Sequence, residues 1–383
     1  MNIKIYDQNN IDDLVWKITK DGNFSKNYLY NLVKYGINKY IDNVDSEMVL
    51  LSFDDNILPL VFGNPDQKIK NSYVCSPTSH YIDYGREECE IELKNNPFLK
   101  KFTLAVIDVF DYLFKKMNFE NVLYINNWLL STNLYEEFDL GKMKEIKDFL
   151  IDKFPRHTLV FKSINDIYNK DLYNKLNSIG FNHVLSRQVY INDQKNGIYK
   201  KKRSFQRDRT IKKKSLYYWE NSDKITENDY KRIKELYKLL YIDKYSSLNP
   251  VFNEKFISET IKNNCFTYKV LKKDNIIYGV FGYFERFGVI TAPLFGYDTS
   301  ISEEDGLYRL VCLEIFEDAI KNNWIIHQSS GVSKFKMYRG AKSSIEYNMA
   351  YYKHVTFKQK IPWIILEKLT DYVVIPVMKK YKL

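Results

Sequence analysis

The chain has 383 residues, 45% hydrophobic and 16% aromatic, enough apolar material for packed cores and too much for an intrinsically disordered protein. Four cysteines (Cys75, Cys89, Cys265, Cys312) stand far apart with no Cys-x-x-Cys pair, which argues against a zinc site or a disulfide scaffold and fits a reducing cytoplasm. A net charge of +10 predicts an acidic partner: a phosphorylated cofactor, an acidic carrier protein, tRNA or an anionic lipid surface.

The length predicts two domains of roughly 190 residues each. Met1–Asp7 shows no leader pattern, and no run of about eighteen uncharged apolar residues occurs. No transmembrane segment and a cytoplasmic location are therefore expected.

Helical spacing of apolar residues predicts a first helix over Ile11–Tyr40, followed by strands at Met48–Phe53 and Ile57–Phe62 and a turn at Gly63–Asp66. Pro97–Lys116 reads as an amphipathic helix and Asn121–Tyr124 as a buried strand. Helix at Met143–Phe154, strand at His157–Phe161, helix at Lys170–Ile179 stopped by Gly180, and strand at Val184–Ile191 complete the first half. The segments Cys75–Tyr81 and Asn126–Asn133 are polar between apolar neighbours, as pocket-lining loops are.

Nine of the fifteen residues in Lys200–Lys214 are basic, which suggests a solvated linker over 200–216 or a docking face for an acidic partner. It divides the chain into 1–199 and 217–383. The second half alternates again, with helices near Glu227–Leu240 and Asn253–Asn263 and strands at Thr267–Leu271, Ile276–Phe284 and Val289–Gly296. Helix Gly306–Lys321, strand Trp324–Gln328, a short helix Lys334–Arg339 and strand Glu346–His354 follow. Pro362–Met378 is apolar on one face and predicts a packed tail helix or a membrane-surface helix, with Lys379, Lys380 and Lys382 behind it.

Each half ends on helix, glycine and an aromatic strand: Leu172–Ile179, Gly180 and Val189-Tyr190 in one, Phe335–Arg339, Gly340 and Tyr347…Tyr351 in the other. Neither half has the Gly-x-Gly-x-x-Gly of a dinucleotide fold. A glycine after a short helix adopts the left-handed cap at no steric cost. The order of elements over Ser330–Tyr352 resembles the end of the GNAT acyltransferase fold, and Phe335-Lys336-x-x-x-Gly340 resembles the motif of Fem-type transferases, which are tandem copies of that fold.

The resemblance implies a mixed αβ protein of two tandem GNAT-like domains, each a mostly antiparallel mixed sheet flanked by helices, with the working site in the second. It implies transfer of an acyl group from a thioester, on coenzyme A or on the phosphopantetheine of an acidic carrier protein, to a primary amine of a small molecule or peptide. No metal and no tightly bound cofactor are implied. The Fem-type alternative is an aminoacyl-tRNA donor, and a third is a binding module without activity.

Within that frame, Gly306, Leu307, Tyr308 and Arg309 at a helix start, with Arg339, are expected to hold donor phosphates. Lys336 is expected to stabilise developing negative charge. His327, Glu346 and Asp298 are the candidate bases. Lys244, Tyr245, Ser246, Asn249, Tyr297 and Tyr347 are expected around the acceptor.

Overall fold

The computed structural model describes residues 3–165, 168–193 and 197–376. In chain order the strands and helices are β1 (Ile3–Tyr6), α1 (Lys20–Tyr35), β2 (Met48–Phe53), β3 (Asn56–Phe62), α2 (Tyr84–Glu92), α3 (Pro97–Lys116), β4 (Val122–Ile125), α4 (Met143–Lys153), β5 (Thr158–Asn165), α5 (Lys170–Ser178) and β6 (Asn182–Asp193). The second half contains α6 (Arg203–Lys214), β7 (Tyr218–Asn221), α7 (Glu227–Tyr237), α8 (Glu254–Lys262), β8 (Thr267–Lys273), β9 (Ile276–Arg286), β10 (Val289–Tyr297), α9 (Leu307–Asn322), β11 (Ile325–His327), α10 (Ser333–Met337), β12 (Lys342–Tyr351) and α11 (Phe357–Leu369).

All twelve strands form one sheet in the order β1-β2-β3-β4-β5-β12-β6-β11-β10-β9-β8-β7. Within each half the strands run antiparallel until one parallel pair, β4 with β5 and β10 with β11. The strand that completes each half then comes from the other: β12 lies antiparallel to β5, and β6 antiparallel to β11. β6 and β12 pair with each other at the centre. This reciprocal exchange removes two edge strands that would otherwise offer unpaired backbone groups.

One core cluster lies on the face covered by α1, α7, α8 and α11 and spans both halves. On the opposite face, α4 and α5 cover the first half, and α6 and α9 cover the second. Period-two alternation in the strands therefore feeds two different cores.

The first helix is shorter than expected. Thr19 caps it by accepting from Gly22 N–H at 3.0 Å, and Gly36 ends it at φ +90°. The basic stretch expected as a linker is instead α6, packed on α9. Phe205 and Asp208 are buried, Ile211 packs with the second-half core, and Lys212 reaches Glu314 and Glu317 at 2.6 Å each. That spacing of three marks one helical face, which the density of lysines conceals. In the tail, α11 anchors Trp363, 1% exposed, in the shared core; Lys379, Lys380 and Lys382 lie outside the described residues. Among the described residues no helix is long and apolar enough to cross a membrane.

Candidate active site

Where the exchanged strands meet, charged side chains collect on the shared-core face. Arg187 of β6 and Glu346 of β12 are register partners, and Arg187 Nε donates to Glu346 Oε1 at 2.9 Å. The same guanidinium donates to Ser329 Oγ at 2.8 Å, to Thr132 Oγ1 at 3.1 Å and to the Ser131 carbonyl. One arginine thus ties both halves and two loops together, in the forked geometry lysine cannot supply.

His327 ends β11 and is 4% exposed. Its Nδ1 accepts from Ser329 N–H at 3.3 Å and lies 3.3 Å from Thr132 Oγ1. An accepting Nδ1 puts the ring proton on Nε2. Nε2 faces Glu346 Oε2 at 3.6 Å, an electrostatic contact too long for a hydrogen bond, and both atoms are otherwise unpartnered.

Burial lowers the His327 pKa, with Glu346 opposing only in part, so the imidazole is neutral at pH 7. Burial alone would raise Glu346, but Arg187 and His327 more than offset it and hold the carboxyl at about 2. The centre at neutral pH is a cation, a carboxylate and an uncharged imidazole.

Lys336, also buried, donates to the Gln328 and Ser330 carbonyls at 2.6 Å each and to Ser329 at 3.4 Å. It clasps a loop in which Ser329 and the β-branched Val332 hold left-handed backbone, φ +56° and +44°. Such strain persists only where the surroundings enforce it. Burial pulls the Lys336 pKa down to about 7.

β10 pairs with β11 only through Val289 and Ile290, then bulges between Thr291 and Leu294 while β11 turns away after His327. Pro293 sits in the bulge, where no N–H is needed. The far half of β10 is left without a parallel neighbour beside the Lys336 loop. Next to His327 opens a cleft of about 180 Å³ between the halves, lined among others by Thr132, Asn133, Tyr135, Ser163, Arg286 and His327.

The structure therefore unites His327, Glu346 and Lys336. Asp298 does not join them. It follows the far end of β10, roughly 20 Å along the strand from the level of His327 at about 3.3 Å per residue, where it binds Arg232 at 2.6 Å and caps Ser300. Strand adjacency in the sequence reading gave no position along the strand.

The expected donor residues are engaged differently from the expectation. Arg309 and Arg339 both bind the buried Asp208, Nε to carboxylate at 2.6 Å in each case. Gly306 is left-handed at φ +69°, and the Ile211 side chain lies 3.2 Å from where a Cβ would stand. Leu307 is buried, and Tyr308 packs on Phe295, Tyr297 and Phe335. α6 thus covers the place where phosphates were expected.

Of the expected acceptor residues, Lys244 reaches Tyr297 Oη at 3.4 Å and Tyr245 packs on Tyr241. Ser246 bonds Glu87 of the first half, and Asn249 donates to the Tyr241 carbonyl at 2.9 Å, shaping its own turn. Tyr347 points to the other face from Glu346, against Tyr173 and His183 in the first-half core.

Arg187 and Thr132 were not singled out from sequence. The polar segment 126–133 was, and it does line the cleft. Lys162 was missed altogether: it is buried in β5, donates to the Val74 carbonyl at 2.8 Å, and burial brings its pKa to about 7. A lysine inside a run of apolar strand residues was the available signal. Among the described residues no group of three or more His, Cys, Asp or Glu side chains is arranged to hold a metal.

A mixed sheet with one parallel pair in each half, repeated in tandem, is the arrangement of the tandem GNAT fold, with the Fem-type likeness seen in the sequence. No family model matches the chain, and no curated protein matches it. Among solved structures, FemX superposes with a TM-score of 0.50 at 8% identity, covering 96% of this chain and 100% of its own. A conserved protein of unknown function from Bacteroides thetaiotaomicron gives 0.51 at 14% identity, covering 91% and 98%. A tandem GNAT protein from the clavulanic acid biosynthesis pathway gives 0.41 at 6%, covering 91% and 98%.

Proposed function

We propose that the protein is an N-acyltransferase that moves an acyl group from a thioester donor to a primary amine, with its reaction centre at His327. One observation carries this reading: a buried, neutral imidazole backed by Glu346 and Arg187 stands at the end of β11, where a cleft opens at the near end of β10 and the far half of β10 runs on without a parallel neighbour. The thioester, on coenzyme A or on a carrier protein, would lie along that stretch. Attack of the amine forms the C–N bond and breaks the C–S bond. The amine proton passes through the Thr132 hydroxyl, which gives its own proton to His327 Nδ1; Glu346 steadies the imidazolium across 3.6 Å, and the departing thiolate takes up a proton as free thiol, returning the imidazole to its neutral form. Lys336 positions the loop rather than donating freely, because carbonyls already occupy its N–H groups.

The second reading is an aminoacyl ester of tRNA as donor, as the Fem-type resemblance implies. It is favoured by the pairing of Arg309 and Arg339 with Asp208, which occupies the expected coenzyme A phosphate cradle. Both readings assign the protein to the cytoplasm.

The test is amine-dependent release of free thiol from a panel of acyl-coenzyme A and acyl-carrier-protein donors. Glu346→Gln and His327→Ala should lower the rate on the order of a hundredfold, the usual worth of a positioned base. Transfer only from aminoacyl-tRNA would select the second reading. Binding of donor without any transfer would leave a non-catalytic module and overturn both.

A further inference from the structure

We infer that the cleft between the end of β5 and the β9–β10 turn is the acceptor site, and that it takes a small amine bearing a second cationic group, such as a diamine or a basic amino acid. The inference rests on the transferase reading for its chemistry but on the cleft's own residues for its specificity.

The chain carries a net charge of +10, yet the cleft presents negative charge. Glu137 is exposed on its lining and has no hydrogen bond or ion pair to any described residue. The neighbouring Glu136, by contrast, is held by Lys17 at 3.2 Å. The one arginine of the lining, Arg286, is already neutralised: both Asp21 oxygens bind it, at 2.5 and 2.9 Å, and its guanidinium stacks on Trp128 at 4.3 Å.

Three aromatic residues, Tyr135, Tyr168 and Phe287, belong to the lining, beside Leu134, Asn165, Asn169 and Val289. Their ring faces attract ammonium groups and not carboxylates or phosphates. His327 and Thr132 supply the polar atoms at which a neutral amine would react, and Glu137 remains for a second ammonium. The cleft, about 180 Å³, has room for a compact diamine. Ser163, left-handed at φ +59°, accepts at its hydroxyl oxygen from the Asn133 side-chain amide at 3.0 Å and from the Asn133 backbone N–H at 3.3 Å, which keeps the wall rigid.

Cadaverine is the probe, with n-pentylamine as the matched monoamine, and binding is measured by calorimetry without any acyl donor. Cadaverine should bind more tightly than n-pentylamine. Glu137→Gln should raise the cadaverine Kd on the order of tenfold, the loss of one charge-assisted contact, and leave n-pentylamine unchanged. Glu136→Gln is the control and should alter neither. Equal affinity for the two amines, or an unaltered Kd in Glu137→Gln, overturns the acceptor assignment. Cadaverine that binds through Glu137 but receives no acyl group overturns the transferase reading and leaves the cation site standing.

Discussion

Arg187 Nε lies 2.9 Å from Glu346 Oε1 across the central pair of β6 and β12, so the ion pair beside His327 takes its cation from one half and its anion from the other. Neither half alone holds a neutral centre. The strand exchange and the candidate chemistry are therefore one structural fact, because the strands that cross between halves are the ones that carry the charges.

Breaking that pair should cost far more than deleting it. Glu346→Leu strands a buried guanidinium and is expected to lose about 3–5 kcal/mol, whereas Arg187→Met with Glu346→Leu should recover most of it. Urea denaturation of the two single variants and the double gives the coupling. Additive losses would mean that the pair does not act as a unit.

Stability should depend on pH through the buried groups, with opposite causes at the two ends. Glu346 is held at about 2 against an ordinary 4.5, so its contribution is complete above pH 4.5 and is lost as pH falls toward 2. Lys162 and Lys336 titrate near 7 when folded and at 10.5 when unfolded, so the unfolded chain binds more protons between those values and stability rises with pH from 7. Above pH 9 the thiols of Cys75, Cys265 and Cys312, each pushed from 9.0 to about 12 by burial, act the other way. Between pH 7 and 8.5 the unfolding free energy of the unaltered protein should climb, and Lys336→Met should flatten the climb. A slope that the substitution leaves untouched would refute the assignment.

Asp208 is expected to matter more than either arginine it holds. Asp208→Asn leaves Arg309 and Arg339 facing each other with the carboxylate charge removed, at an expected cost of about 3 kcal/mol. Arg309→Ala should cost less, since Arg339 still binds the carboxylate through two nitrogens. Thermal unfolding of both variants tests the order, and a reversed order would show that Asp208 is not the hub.

Residues 217–383 expressed alone should fail to fold as a stable monomer. β12 finds both of its partners, β5 and β6, in the first half, and β11 loses β6. Co-expression with residues 1–216 should restore a soluble complex whose amide spectrum matches the intact chain. A well-dispersed spectrum from 217–383 by itself would contradict the exchange as a requirement for folding.

Local physics made much of this protein legible in its sequence. Apolar periodicity marks α3, α4, α5, α7 and α9, and the glycines after α5 and α10 mark where helices must stop, because those decisions rest on neighbours a few residues away. The motif Phe335-Lys336-x-x-x-Gly340 pointed to the acyltransferase fold and to Lys336, while His327 stood out at a strand end and Glu346 on a neighbouring strand. Long-range pairing decided the rest. Nothing near Arg187 in the chain indicates that β6 crosses to the second half, and nothing near Asp298 indicates that the β10–β11 pairing ends far from it. Asp208 looks like a lone acid in a basic stretch until tertiary packing brings Arg309 and Arg339, about 100 and 130 residues away, onto its carboxylate. Burial converts such residues from solvated charges into partners, since a charge removed from water must find another, and only the folded chain determines which one lies within reach.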